Sequence, residues 1–192
     1  MAECESRSAI VAYFYCDFRD ESKQNCCNIV LSLIWQLCNQ SNFCYKTVSR
    51  IYSEHGKGAR KPSDETLSEC LTKMLLHLVS PVYLIVDALD ECPNNSGFPT
   101  PRKEVLNLIK NLVGLRLPNL HICVTSRSES DIQTSLEPLA SLRVILHAES
   151  GQRDDLVDYI RSVVCSDDHI RKWGEEDRKF VVDTLSERAE GM

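Results

Sequence analysis

No stretch of this 192-residue sequence approaches the ~20 consecutive apolar residues that a membrane-crossing helix requires, so a helical membrane span is excluded. Positive charge is scarce as well. There are 22 Lys and Arg against 28 Asp and Glu, and a formal charge of −6 excludes the broad cationic surface that nucleic acid demands. The one basic cluster, Lys57, Arg60 and Lys61, falls in the Gly56 to Pro62 loop and reads as a solvated linker. No Cys-x-x-Cys and no Cys/His pair at zinc-ligand spacing occurs, which removes the common structural zinc sites. The ten cysteines are only about 5% of the chain, below the ~8–10% of disulfide-stapled secreted domains. They read as reduced, buried structural thiols, with Cys16 and Cys123 in strand-like runs and Cys38 and Cys70 on apolar helix faces. Glycine is sparse too: there are seven, and nowhere the spacing Gly-x-x-x-x-Gly-Lys-Ser/Thr that builds a phosphate-cradling loop. Gly56-Lys57 is followed by Gly58, not by a hydroxyl residue. The start Met1-Ala2-Glu3-Cys4-Glu5 has neither the basic region nor the apolar core of a secretory signal, so the expected compartment is cytoplasmic.

What is present is the composition of an ordinary globular chain, 43% hydrophobic and 26% charged, long enough for one domain with a real core. Ala9 to Phe18 is rich in β-branched and aromatic residues and reads as a first strand. Helices are expected over 24–39 and 44–53. The clearest helix carries Leu67, Cys70, Leu71, Met74, Leu75 and Leu78 at three-and-four spacing, with Ser63 or Asp64 as its cap. A second strand covers Val82 to Val86, and Thr100-Pro101 opens a helix whose Val105, Ile109, Leu112 and Val113 point inward. A third strand over Asn119 to Thr125, a short helix near 129–137 and a fourth strand over Leu142 to His147 follow. Two last helices, near 152–165 and 175–189, have acidic first turns at Asp154-Asp155 and Glu175-Glu176-Asp177. Alternating strands and helices predict an α/β fold with a mostly parallel, doubly wound sheet and flanking helices.

The most informative junction is Pro81-Val82-Tyr83-Leu84-Ile85-Val86-Asp87-Ala88-Leu89-Asp90-Glu91, where an apolar run ends in three carboxylates within five positions. A continuous apolar run suits a strand buried on both faces, and open α/β sheets bind ligands beyond the carboxyl ends of such strands. Carboxylates in that position also serve merely to cap a loop, and both readings stand on the residues alone.

The acidic junction resembles the Walker B motif of P-loop NTPases, and Asp87-Ala88-Leu89-Asp90-Glu91 is similar to the form used by NACHT-domain signalling proteins of the fungal type. Two further marks agree in order: Tyr13 to Asp20 with Lys23-Gln24 resembles that family's second strand and the following helix entry, and Thr125-Ser126-Arg127 its sensor segment. The resemblance implies that Asp87 helps hold a hydrated Mg ion on ATP and that Asp90 or Glu91 orients the attacking water. It also implies that Arg127 senses the γ-phosphate. The intact family implies ATP with Mg as cofactor, slow hydrolysis, and protein partners or self-association, with no nucleic acid or membrane partner.

Where the resemblance places the Walker A segment there is no counterpart, so the chain reads as a partial NACHT-like domain over 1–192, with a possible helical appendage starting near 152. The missing strand is expected between those matched by Asn119 to Thr125 and Leu142 to His147. Without the Walker A segment the chain is expected to bind no cofactor tightly and to be inactive alone. The reading from a different class is a non-catalytic interaction or oligomerisation scaffold that keeps the α/β frame without binding nucleotide. A phospho-acceptor receiver using Asp87 is a weaker third, since the additional acidic pair and Lys of that fold are not evident.

Overall fold

The computed structural model describes residues 9–57, 59–95, 97, 99–145 and 150–188. The chain divides into two compact units, Met1–Ala140 and Ser141–Met192.

The first unit is built on three parallel strands in the order β1 (Ile10–Tyr15), β2 (Val82–Asp87), β3 (Leu120–Val124). Ile10 pairs with Val82 and Val82 with Leu120, so the three carboxyl ends lie level at Tyr15, Asp87 and Val124. Helices α1 (Cys26–Gln40), α2 (Asn42–Glu54) and α3 (Asp64–His77) fill the crossover from β1 to β2, and α4 (Pro101–Gly114) the crossover from β2 to β3. A short helix, α5 (Ser130–Leu136), follows β3. The α/β class and parallel sheet expected from the alternation are therefore observed.

Local chemistry explains the helix starts. Asn25, Ser41, Ser63 and Thr100 each sit in extended backbone and accept a hydrogen bond from an amide three residues on, satisfying one of the unpaired donors of a first turn. Pro101 takes the first helical position of α4, where no N–H is needed. Ser63, not Asp64, caps α3.

The helices pack on one side of the sheet. Ile10, Ala12, Phe14, Val82, Leu84 and Val86 are buried there with Ile29, Leu33, Leu37, Leu71, Met74, Val105 and Ile109. Both crossovers advance in the same direction across the sheet, and crossovers of one hand then deposit their helices on the same face. The opposite face remains open: Val11, Tyr13, Tyr15 and Tyr83 are 41, 47, 56 and 41% exposed. Tyr83 stacks on His121 at 4.8 Å and Tyr13 tilts against Tyr15 at 5.3 Å between ring centroids. This corrects the expectation of a β2 buried on both faces, and of a buried Cys123, which is exposed. Cys165 is exposed as well, whereas Cys16, Cys44, Cys70 and Cys92 are buried.

The two edges of the sheet differ. Along β1, Gln40 accepts from Val11 N–H (3.2 Å) and donates to Val11 C=O (2.8 Å), and Gln36 does the same for Tyr13 at 3.1 and 2.7 Å. Residues four apart on α1 meet residues two apart on β1, so side-chain amides occupy the groups that another strand would use. No described strand and no such amide pair lines β3.

In the second unit α6 (Ser150–Ser166) packs against α7 (Glu175–Arg188). Helix α7 opens on the expected Glu175, Glu176 and Asp177, but α6 starts earlier than expected, so Asp154 and Asp155 lie beyond its first turn. The fourth strand is corrected: Leu142 to Ile145 are not in a strand, and residues 146 and 147 lie outside the described residues. An apolar, β-branched run becomes a strand only by pairing, and the resemblance itself assigned its neighbour to a segment with no counterpart here.

Candidate functional site

The carboxyl edge of the sheet collects the four candidate site residues, Asp87, Asp90, Glu91 and Arg127. Asp87 is the last residue of β2, and the chain then turns through Ala88 into a single 3-10 turn, Leu89–Glu91. Ala88 adopts left-handed backbone (φ 54°, ψ 48°), a conformation that costs an L-residue about 1–2 kcal/mol. The turn is held from β3: Thr125 accepts from Ala88 N–H through its hydroxyl (3.0 Å) and from Leu89 N–H through its carbonyl (3.0 Å), and its own hydroxyl donates to Asp87 Oδ1. One threonine thus aligns the end of β2 and orients the Asp87 carboxylate.

Asp90 and Arg127 meet directly. Arg127 donates its backbone N–H to Asp90 Oδ1 at 3.0 Å, and its Nε lies 3.4 Å from Oδ2. The Asp90 side chain is only 9% exposed while that of Arg127 is 75% exposed, so the guanidinium reaches outward from a buried anchor. Glu91 turns the other way and accepts from Phe18 N–H at 3.0 Å, tying the acidic turn to the segment after β1. That segment is ordered locally. Gln24 donates to Phe18 C=O (2.8 Å), and the Arg19 guanidinium and N–H on Asp17 hold its carboxyl below the ordinary carboxylate range.

Arg102, which the sequence did not single out, supports the turn from below. Its side chain is nearly buried at the start of α4, with Nε donating to Cys92 C=O at 2.9 Å and Nη2 to Asp90 C=O at 2.5 Å. Its Nη1 lies 3.3 Å from Asp131 Oδ1 and 4.0 Å from Glu129 Oε2. A lone arginine in the first turn of an amphipathic helix has no pattern that separates it from a solvated one. Cys16 and Cys92 close the floor, their sulfurs 3.4 Å apart. Hydrogen bonding to Cys92, then burial, pushes the Cys16 thiol up, and the same bond draws Cys92 down. A groove lined by Phe18, Gln24, Asp90, Glu91, Arg102 and Arg127 runs over this assembly.

Asp87, Asp90, Glu91 and Arg127 therefore lie together at one edge, with both Asp90 oxygens engaged by Arg127. No cluster of three or more His, Cys, Asp or Glu able to hold a metal occurs among the described residues. The donor set fits a magnesium ion only in its water-mediated form, one hard carboxylate at Asp87 with the remaining ligands supplied by phosphates and water. No described helix is long and apolar enough to cross a membrane.

An α/β protein with a parallel sheet and an acidic turn at its carboxyl edge is the class defined so far. The family model described as Nephrocystin 3, N-terminal matches residues 1–127, and the chain belongs to that family, which is related to NACHT-containing proteins. The match spans β1, β2 and β3 and ends at Arg127, so it takes in all four candidate residues. No curated protein and no solved structure matches the chain.

Proposed function

We propose that this chain is part of a NACHT-type nucleotide-binding signalling domain, of the fungal kind, whose intact form switches between ATP and ADP and thereby changes its assembly state. The observation that carries this reading is the convergence of Asp87, Asp90, Glu91 and Arg127 at the carboxyl edge of a parallel sheet. In that role Asp87, oriented by the Thr125 hydroxyl, would hold a hydrated Mg ion, Asp90 or Glu91 would polarise the attacking water, and Arg127 would be the residue to meet the γ-phosphate. The exposed reach of its guanidinium supports that role. The phosphate cradle and its Lys have no counterpart in the sequence, so the chain by itself binds Mg-ATP weakly and turns over none. Losing several charge-assisted contacts, each worth about 1.5–3 kcal/mol, weakens affinity by orders of magnitude.

A specific observation favours a second reading, a scaffold that no longer binds nucleotide. Asp90 is already neutralised by Arg127, and the open sheet face is rich in tyrosine, as contact surfaces are. Reading the coding sequence upstream of Met1, followed by calorimetric titration of the extended protein with Mg-ATP, separates the two. An in-frame Gly-x-x-x-x-Gly-Lys-Ser/Thr with micromolar binding abolished by Asp87→Ala supports the switch. An upstream stop codon with no ATP binding leaves the scaffold.

A further inference from the structure

The Cys16 and Cys92 pair is not used by either reading of the site. Cys16 is the first residue after β1, and Cys92 the first after the acidic turn, 76 positions later. Each is fixed by its backbone: Cys16 N–H donates to Asp87 C=O at 3.0 Å, and Cys92 C=O accepts from Arg102 Nε at 2.9 Å. Their sulfurs face one another at 3.4 Å, and among the described residues no other two thiols are in hydrogen-bonding contact. Neither is in a disulfide. A disulfide has sulfurs about 2.05 Å apart, so closure brings them together by a little over 1 Å.

We propose that Cys16 and Cys92 are a redox latch, forming a reversible disulfide that clamps the acidic turn to the end of β1. The pair is buried, Cys16 5% and Cys92 0% exposed, which restricts the oxidant to something as small as a peroxide. One thiol sulfur attacks a peroxide oxygen; the O–O bond breaks, an S–OH forms and the first water leaves. The second sulfur attacks the sulfenic sulfur, the S–S bond forms, the S–O bond breaks, and the departing hydroxyl takes the thiol proton as a second water. Two thiols lose two electrons and one peroxide becomes two waters, whichever sulfur reacts first. A small dithiol reverses the step by exchange through a mixed disulfide.

The latch acts on the turn because Glu91 adjoins Cys92 and already bridges to Phe18 N–H. Oxidation adds a covalent link beside that bridge and fixes Glu91 against the β1 side. Closing a loop of this length also removes freedom from the unfolded chain, so the oxidised protein melts higher.

The test uses the full chain, treated with hydrogen peroxide while folded, then unfolded in denaturant, alkylated without reduction, digested and mapped by mass spectrometry. The expected result is one dominant linked species joining the Cys16 and Cys92 peptides, lighter by two hydrogens, cleaved by dithiothreitol. It is accompanied by a rise of several degrees in melting midpoint that dithiothreitol reverses. Full alkylation of both residues after peroxide in a chain that keeps its native circular dichroism overturns the proposal, as does linkage spread evenly over other cysteines. Cys16→Ser is expected to lose both the linkage and the peroxide-dependent rise in midpoint. Should that variant not fold, the mapping of the native chain decides alone.

Discussion

Arg102→Met is the substitution whose cost follows most directly from the structure. Methionine keeps the apolar stem and removes the guanidinium, leaving the carbonyls of Cys92 and Asp90 without their donor in a region where Cys92 is fully buried. Two hydrogen bonds from a charged donor, at about 1.5–3 kcal/mol each, set a loss of about 3–6 kcal/mol. The ion pair with Asp131, whose side chain is a third exposed, adds less than about 1 kcal/mol after solvent screening. Urea unfolding followed by circular dichroism should show a lower midpoint at unchanged slope, because the surface exposed on unfolding is the same. A loss near 3 kcal/mol lowers the melting temperature by roughly 10 °C for a domain of this size. Arg102→Lys retains the charge but not the planar fork, so it should recover only about half of the loss. A change below about 1 kcal/mol in the methionine variant would refute the reasoning, since it would mean that water already satisfies both carbonyls.

Ala88→Gly should raise stability by up to about 1 kcal/mol, read from the thermal midpoint, because glycine adopts the left-handed backbone without a Cβ clash, partly offset by its greater freedom when unfolded. Thr125→Val should misalign Asp87 and cost about 1–3 kcal/mol in chemical denaturation, since the Ala88 N–H loses its acceptor. The open tyrosine face should bind a hydrophobic fluorescent dye, and Tyr13→Ser with Tyr83→Ser should lower that emission without lowering the unfolding free energy by more than about 1 kcal/mol. In an NMR titration Asp17 should lose its charge below the ordinary carboxylate midpoint of about 3.9. Its contribution to stability is then present above that value and lost as the pH falls through its lowered midpoint, and Arg19→Ala should move the midpoint back up.

Much of the first unit was legible because its signals are local. The apolar run ending at Asp87, the three-and-four spacing of α3 and the Thr100-Pro101 start of α4 each report backbone geometry within a few residues. What escaped depends on partners distant in sequence. Tyr13, Tyr15 and Tyr83 favour strands whether or not a layer covers them, so composition gave no sign that one sheet face is open. Arg102 looks like any charged residue in a first helical turn, and only the fold shows it beneath Asp90 and Cys92. Leu142 to Ile145 has the composition of a strand but is not in one, because composition does not show whether a neighbouring strand is there to pair with. Of the candidate site, the sequence identified the four residues but not the Thr125 hydroxyl on Asp87 or the pairing of Asp90 with Arg127, because both contacts cross between β2 and β3.

The Gln36 and Gln40 amides along β1 guard that edge of the sheet. A strand arriving from any source finds the N–H and C=O of Val11 and Tyr13 already hydrogen-bonded, so it cannot add to β1 at those residues without first displacing α1. Two glutamines on one helix therefore protect this edge of the sheet against pairing with another chain, a task that proteins otherwise give to charges, prolines or bulges on the strand itself.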